Sequence, residues 1–145
     1  MYLNIKRRLP LIGIAVIVAL LITLFAMSKH MNTSAQVGSA EEAAEYLKGF
    51  GWEVAPEPVS VRFAQIPAVF SAAYEEYNAL QKSQGFDLTE FREKTATVYT
   101  FRILNHANTA NVFANVLVID NKVIAGDIVS YAIDGFIAAL DSIGI

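Results

Sequence analysis

Residues 9–27 carry no charge over 19 positions and are mostly Leu, Ile, Val and Ala, and this run limits the fold of the chain more sharply than any other feature. As a helix it rises about 28 Å against a hydrocarbon core of about 30 Å, which is enough to span a bilayer. A secretory signal peptide also begins with bases, as Lys6, Arg7 and Arg8 do here, but its apolar region covers only about 7–15 residues. The expectation is an uncleaved anchor. The alternative is a domain secreted after cleavage near Thr33-Ser34-Ala35 or Gly38-Ser39-Ala40. Three bases precede the run, and Lys29 and His30 follow it. The positive-inside bias then leaves residues 1–8 in the cytoplasm and the C-terminal part outside the cell membrane. Residues 28–38 are small and polar without periodicity and read as a tether, with residues 39–145 as the extracytoplasmic domain.

Charge and composition then exclude several functions. Removing Lys6, Arg7, Arg8 and Lys29 from the total leaves 7 bases against 14 acids beyond residue 30, a net charge of −7. Such a surface repels phosphate backbones, so no nucleic-acid partner is expected. The chain has no cysteine, which removes disulfide frameworks, thiolate metal sites and cysteine nucleophiles.

Ser39 followed by Glu42 forms a capping box, and Ala40, Ala43, Ala44 and Leu47 then recur at helical spacing, which predicts a helix over 40–48. Residues 52–55 and 59–64 read as short strands joined by Pro56-Glu57-Pro58. Ile66-Pro67 is expected to open a second helix, with Phe70, Ala73, Tyr74, Tyr77, Leu80 and Gln81 forming its inward stripe up to Gly85. Asp87 caps a short turn, and three strands follow at 95–104, 111–119 and 122–129, the last two joined by a two-residue turn at Asp120-Asn121. Residues 132–142 are expected to form a last helix capped by Asp134. The fold class is thus α+β, a mainly antiparallel sheet with two or three helices on one face.

Chemistry is sparse. His30 and His106 are the only histidines, which is too few for a His-rich metal cluster, and no serine elbow, phosphate loop or dinucleotide fingerprint occurs. Glu75 and Glu76 are helix neighbours and point about 100° apart, a poor arrangement for convergent carboxylates. Asp120, Asp127 and Asp134 recur every seven residues, but across a hairpin and a helix start, where that interval has no single geometry. No cofactor, metal or catalytic residue is expected.

Phe50-Gly51-Trp52-Glu53-Val54, Ile66-Pro67, Tyr77-Asn78, Gln81-Lys82, Gly85-Phe86-Asp87-Leu88, Val123-Ile124-Ala125-Gly126-Asp127 and Asp134-Gly135-Phe136 together resemble a bacterial family of domains of unknown function. The resemblance covers about residues 40–145. It implies a small protein of Gram-positive bacteria with an N-terminal membrane segment and one exported domain, and it implies no activity. Glu93-Lys94 and Asn105-His106 depart from the family pattern, which has Gly-Lys and Asn-Tyr at those places.

The expected function is a non-enzymatic, membrane-tethered domain that binds a protein or a cell-envelope polymer. Its candidate surface is the sheet edge carrying Trp52, Val59, Val61 and Arg62, because an unpaired strand edge is a docking site. The alternative is an envelope hydrolase or polymer-modifying enzyme that uses a carboxylate with His106, and this requires the histidine in a concave pocket beside that carboxylate.

Overall fold

Runs rich in β-branched residues pair in the order in which they occur along the chain. β1 (Ser60–Gln65), β2 (Thr95–Arg102), β3 (Val112–Ile119), β4 (Lys122–Ser130) and a two-residue β5 (Ile137–Ala138) form one antiparallel five-stranded sheet in the order β1-β2-β3-β4-β5. The computed structural model describes residues 17–19, 35–106 and 111–142. It divides the chain into two units, Met1–Asn32 and Thr33–Ile145. In the first unit Ile17, Val18 and Ala19 are helical, and the rest of the expected span 9–27 lies outside the described residues. Among the described residues no helix is long and apolar enough to cross a membrane.

The α+β class and the antiparallel sheet are as expected, but the helices are divided between the two faces of the sheet. On one face Phe101, Ala114, Val116, Val118 and Ile128 pack against Ala43, Ala44 and Leu47 of α1 (Ala40–Lys48), with Trp52, Phe86 and Leu140. On the other face Ala96, Val98, Leu117 and Ile119 pack against Ile66, Leu88 and Phe91, and against Tyr74 and Tyr77 of α2 (Ala72–Ser83). The central strands are apolar on both sides, which is why each face needs its own cover.

The capping box holds α1: the Glu42 N–H donates to Ser39 Oγ at 3.2 Å, and the Glu42 carboxylate accepts from the Gly38 N–H. The domain begins earlier than Ser39. Val37, the one large apolar residue at the end of the expected tether, is 1% exposed, and its N–H donates to the Asn121 carbonyl at 2.7 Å.

Pro67 does not open α2. Ile66 is still paired with the chain at residues 93–94, its N–H bonded to the Lys94 carbonyl and its carbonyl to the Glu93 N–H, so the helix waits for Ser71, whose hydroxyl caps the Tyr74 N–H. Asn78 then clamps the helix to the short 3-10 turn Leu88–Phe91, accepting from the Leu88 N–H at 2.8 Å and donating to Asp87 Oδ1 at 3.2 Å. Asp87 caps that turn as expected. Its bonds to Thr89 hold the carboxyl below the usual carboxylate range.

The expected helix over 132–142 is absent. The chain turns tightly instead, with the Ser130 N–H bonded to the Phe136 carbonyl, and Ile137 and Ala138 add to β4. A Cβ on Gly135 would lie 2.2 Å from the Ser130 carbonyl oxygen, so this turn requires glycine.

The outer edge of β4 is closed beyond β5 by side chains of α2 and the residue after it. The Gly126 N–H donates to Gln81 Oε1 at 3.0 Å, and Gln84 Nε2 donates to the Gly126 carbonyl at 3.0 Å. Gln84 Oε1 in turn accepts from the Leu140 N–H at 2.8 Å. Two buried glutamines thus stand in for a neighbouring strand.

Candidate functional site

One transverse row of the α2-covered face is polar. Strand register sets Ser60 beside Thr100, Thr100 beside Asn115, and Asn115 beside Asp127. The next row in from it runs Arg62, Val98, Leu117, Ala125, and is apolar except at its β1 end. Asp127 reaches the polar row because of a bulge. The register shifts at Leu117/Val118 so that Ile124 is the extra residue on β4, which turns Asp127 rather than Gly126 toward Asn115.

The side chains in this row form a directed chain. Thr100 Oγ1 donates to Asn115 Oδ1 at 2.7 Å, Asn115 Nδ2 donates to Asp127 Oδ1 at 2.8 Å, and the Tyr77 hydroxyl of α2 donates to Asp127 Oδ2 at 2.8 Å. Each carboxylate oxygen accepts one hydrogen bond and keeps further acceptor capacity. A cleft of about 340 Å³ opens beside it, lined by Asp127, Asn115 and Tyr77, by the apolar Val98, Leu117 and Val129, and by the exposed Arg62, Tyr131 and Ile137. Asp127 is 5% exposed and makes no ion pair among the described residues.

Burial pushes the Asp127 carboxyl above its ordinary range, against the opposing pull of Asn115, Tyr77 and the Arg62 charge. Burial, and then the Asp127 charge, push the Tyr77 phenol up, so it stays a donor. The consequence for stability has a definite sign. A native carboxyl that holds its proton more tightly than an unfolded one makes stability fall as pH rises from the unfolded value of 3.8 through the raised native value. Asp127→Asn removes that loss, and its other effects on packing do not vary with pH. The stability of the variant relative to wild type, from urea unfolding, should therefore climb as pH rises above about 4. A flat difference would show that the native carboxyl titrates as an unfolded one does.

The four residues expected to form a docking surface do not share one. Trp52 is 3% exposed, and its Nε1 donates to the Leu140 carbonyl at 2.7 Å, so the indole belongs to the core. Strand alternation puts Val61 on the α1 side of the sheet, with Val59 also exposed, while Arg62 points to the opposite face, into the cleft. Phe63, at 79% the most exposed large apolar residue of β1, belongs with Val61 and was not among the expected four.

His106 does not line the cleft. It stacks between Trp52 and Phe136, with ring centroids 6.1 Å and 5.7 Å away, while the Asn105 side chain pins the neighbouring segment through Gly51 and Glu53. Among the described residues no group of three or more His, Asp or Glu is placed to hold a metal ion.

The sequence marks Asp127 only as one of three regularly spaced acids and as part of the family resemblance, and does not mark Asn115 or Thr100 as site residues. For Asn115 and Asp127 a signal was present, a polar residue interrupting a largely apolar strand, whereas Thr100 sits in a strand that holds other threonines and an arginine. Tyr77 was assigned to the core stripe of α2, where its ring does pack.

No curated protein and no solved structure matches the chain. Residues 46–128, more than half of it, match a family model described as a domain of unknown function, DUF4830. That match spans α2, β1 to β3, β4 as far as Ile128 and every residue of the polar row, and the chain therefore belongs to the DUF4830 family.

Proposed function

We propose that the protein is a membrane-tethered extracytoplasmic binding domain of a Gram-positive cell envelope, and that its ligand, a protein segment or an envelope component, enters the cleft between α2 and the sheet. The observation that carries this reading is the buried Asp127, hydrogen-bonded on both oxygens yet lining an open cleft with an exposed cation at its rim. Ligand sites combine a concave, mostly apolar wall with a few fixed polar groups, and about 340 Å³ is the size of a small ligand or one end of a larger one. The uncharged run 9–27, with its preceding bases, supports the tether.

The absence of cysteine makes a direct test available. Tyr131→Cys places a thiol at the rim of the cleft, and Glu45→Cys places one on the exposed side of α1. A membrane-impermeant maleimide should label both in intact cells. Compared with purified protein, labelling at 131 should be slowed severalfold by the resident ligand, while labelling at 45 should not. Labelling that requires permeabilised cells would overturn the orientation, and equal slowing at both positions would overturn the cleft as the binding site.

A further inference from the structure

We propose that the ligand of this cleft is a zwitterion of the amino-acid or short-peptide type, its ammonium group held by Asp127 and its carboxylate facing Arg62. This rests on the cleft being the binding site. The argument starts from the imbalance that the protein leaves in place. Asp127 is a carboxylate removed from water with neutral donors only, Tyr77 and Asn115, and with no cation in contact among the described residues. The donor chain Thr100–Asn115–Asp127 points wholly toward the carboxylate, only partly offsets the effect of its burial, and leaves lone pairs for a further donor. An ammonium group supplies both the donors and the compensating charge.

Arg62 carries the complementary half. It stands on the edge strand, exposed, in no ion pair among the described residues, and lines the same cleft. Between β1 and β4 on this face lie Val98 and Leu117, beside the polar Thr100 and Asn115, and hydrocarbon packs on the apolar pair, where a second charge would be poorly solvated. The cleft thus presents a fixed negative group in its wall, an apolar middle and a positive group at its rim. A neutral sugar would leave both charges unmatched. A simple anion would meet Arg62 but be repelled by Asp127, and a simple cation would meet Asp127 but be repelled by Arg62.

The test uses the full chain in detergent micelles and follows the Asn115 side-chain amide and the Gly126 backbone amide by nuclear magnetic resonance. Four probes are titrated: alanyl-alanine, its N-acetyl derivative, its C-terminal amide, and N-acetylglucosamine. Alanyl-alanine should shift both signals, and N-acetylation should weaken binding at least about tenfold, because a buried charge is then left unpaired. Amidation should weaken binding less, since Arg62 is solvated. Asp127→Asn should abolish the preference for the free ammonium. Arg62→Gln, an exposed change that leaves the core intact, should make alanyl-alanine and its amide bind alike. Equal binding of the N-acetyl derivative, or an amide that binds wild type as well as the free acid does, would overturn the assignment. Shifts caused by N-acetylglucosamine and not by the dipeptide would overturn the ligand class while leaving the cleft as the site. No shift with any probe, together with equal labelling at residues 131 and 45 in cells, would overturn both readings.

Discussion

Trp52→Ala is expected to lower the unfolding free energy by about 4 kcal/mol, the middle of the range for emptying an aromatic site in a packed core. The indole is buried among α1 and the sheet, and its N–H is the donor that holds the Leu140 carbonyl. Alanine therefore leaves a cavity and a buried acceptor without its partner, two costs that add. Trp52→Phe separates them, because it keeps most of the ring volume and loses only the donor, and about 1–2 kcal/mol is expected for it. Trp52 is the sole tryptophan, so unfolding is followed by far-UV circular dichroism in urea rather than by fluorescence. A loss of less than about 2 kcal/mol in the alanine variant would show that the site collapses without penalty and that the indole does not hold the C-terminal segment. Since small domains are stable by only about 5–15 kcal/mol, the expected loss brings the fold close to its limit.

Gly126→Val is expected to cost about 3 kcal/mol, for the opposite reason. A Cβ at this position would lie 2.5 Å from Leu140 Cδ1 and 3.1 Å from the Asn115 carbonyl oxygen, so the substitution forces atoms apart where nothing is loose. Leu140 is fully buried, and its N–H is bonded to Gln84, so moving it disturbs the glutamine pair that closes the β4 edge. The cause can be isolated with Gly126→Ala, Leu140→Ala and the double variant. Each single change destabilises, but removing the leucine makes room for the new methyl, so the double variant should be more stable than the two losses summed by about 1 kcal/mol or more. Strict additivity in urea unfolding would place the strain at the Asn115 carbonyl instead of at Leu140.

Local chemistry made much of the fold legible. The Ser39 and Glu42 pair marks α1, and Asp120-Asn121 marks the β3–β4 turn, where both residues take positive φ of 51° and 61°. What failed was decided by contacts between distant segments. Residues 132–142 have a helical pattern, yet β4 offers unpaired backbone groups and Gly135 fits only a tight turn, so the segment extends. Pro67 has the right chemistry for a helix start, yet Ile66 is committed to residues 93–94. The inward face of α2 includes Gln81, which the expected stripe contains, and also Asn78, a polar residue that a hydrophobic pattern cannot mark as core. The candidate site was least visible for a related reason. Whether Asp127 shares a face with Asn115 depends on the single extra residue at the bulge, and counting from the turn without it sends the carboxylate to the other side of the sheet.

The closure of β4 by Gln81 and Gln84 sets how copies of this domain could assemble. With that side covered, and β5 only two residues long, β1 is the one long strand among those described whose outer edge is open. A second copy that pairs through β1 about a two-fold axis uses the open edge of both molecules and leaves none for a third. Growth then ends at a closed pair. A sheet open on both sides would instead extend into a fibre, a hazard that an exposed Val61 and Phe63 would otherwise invite.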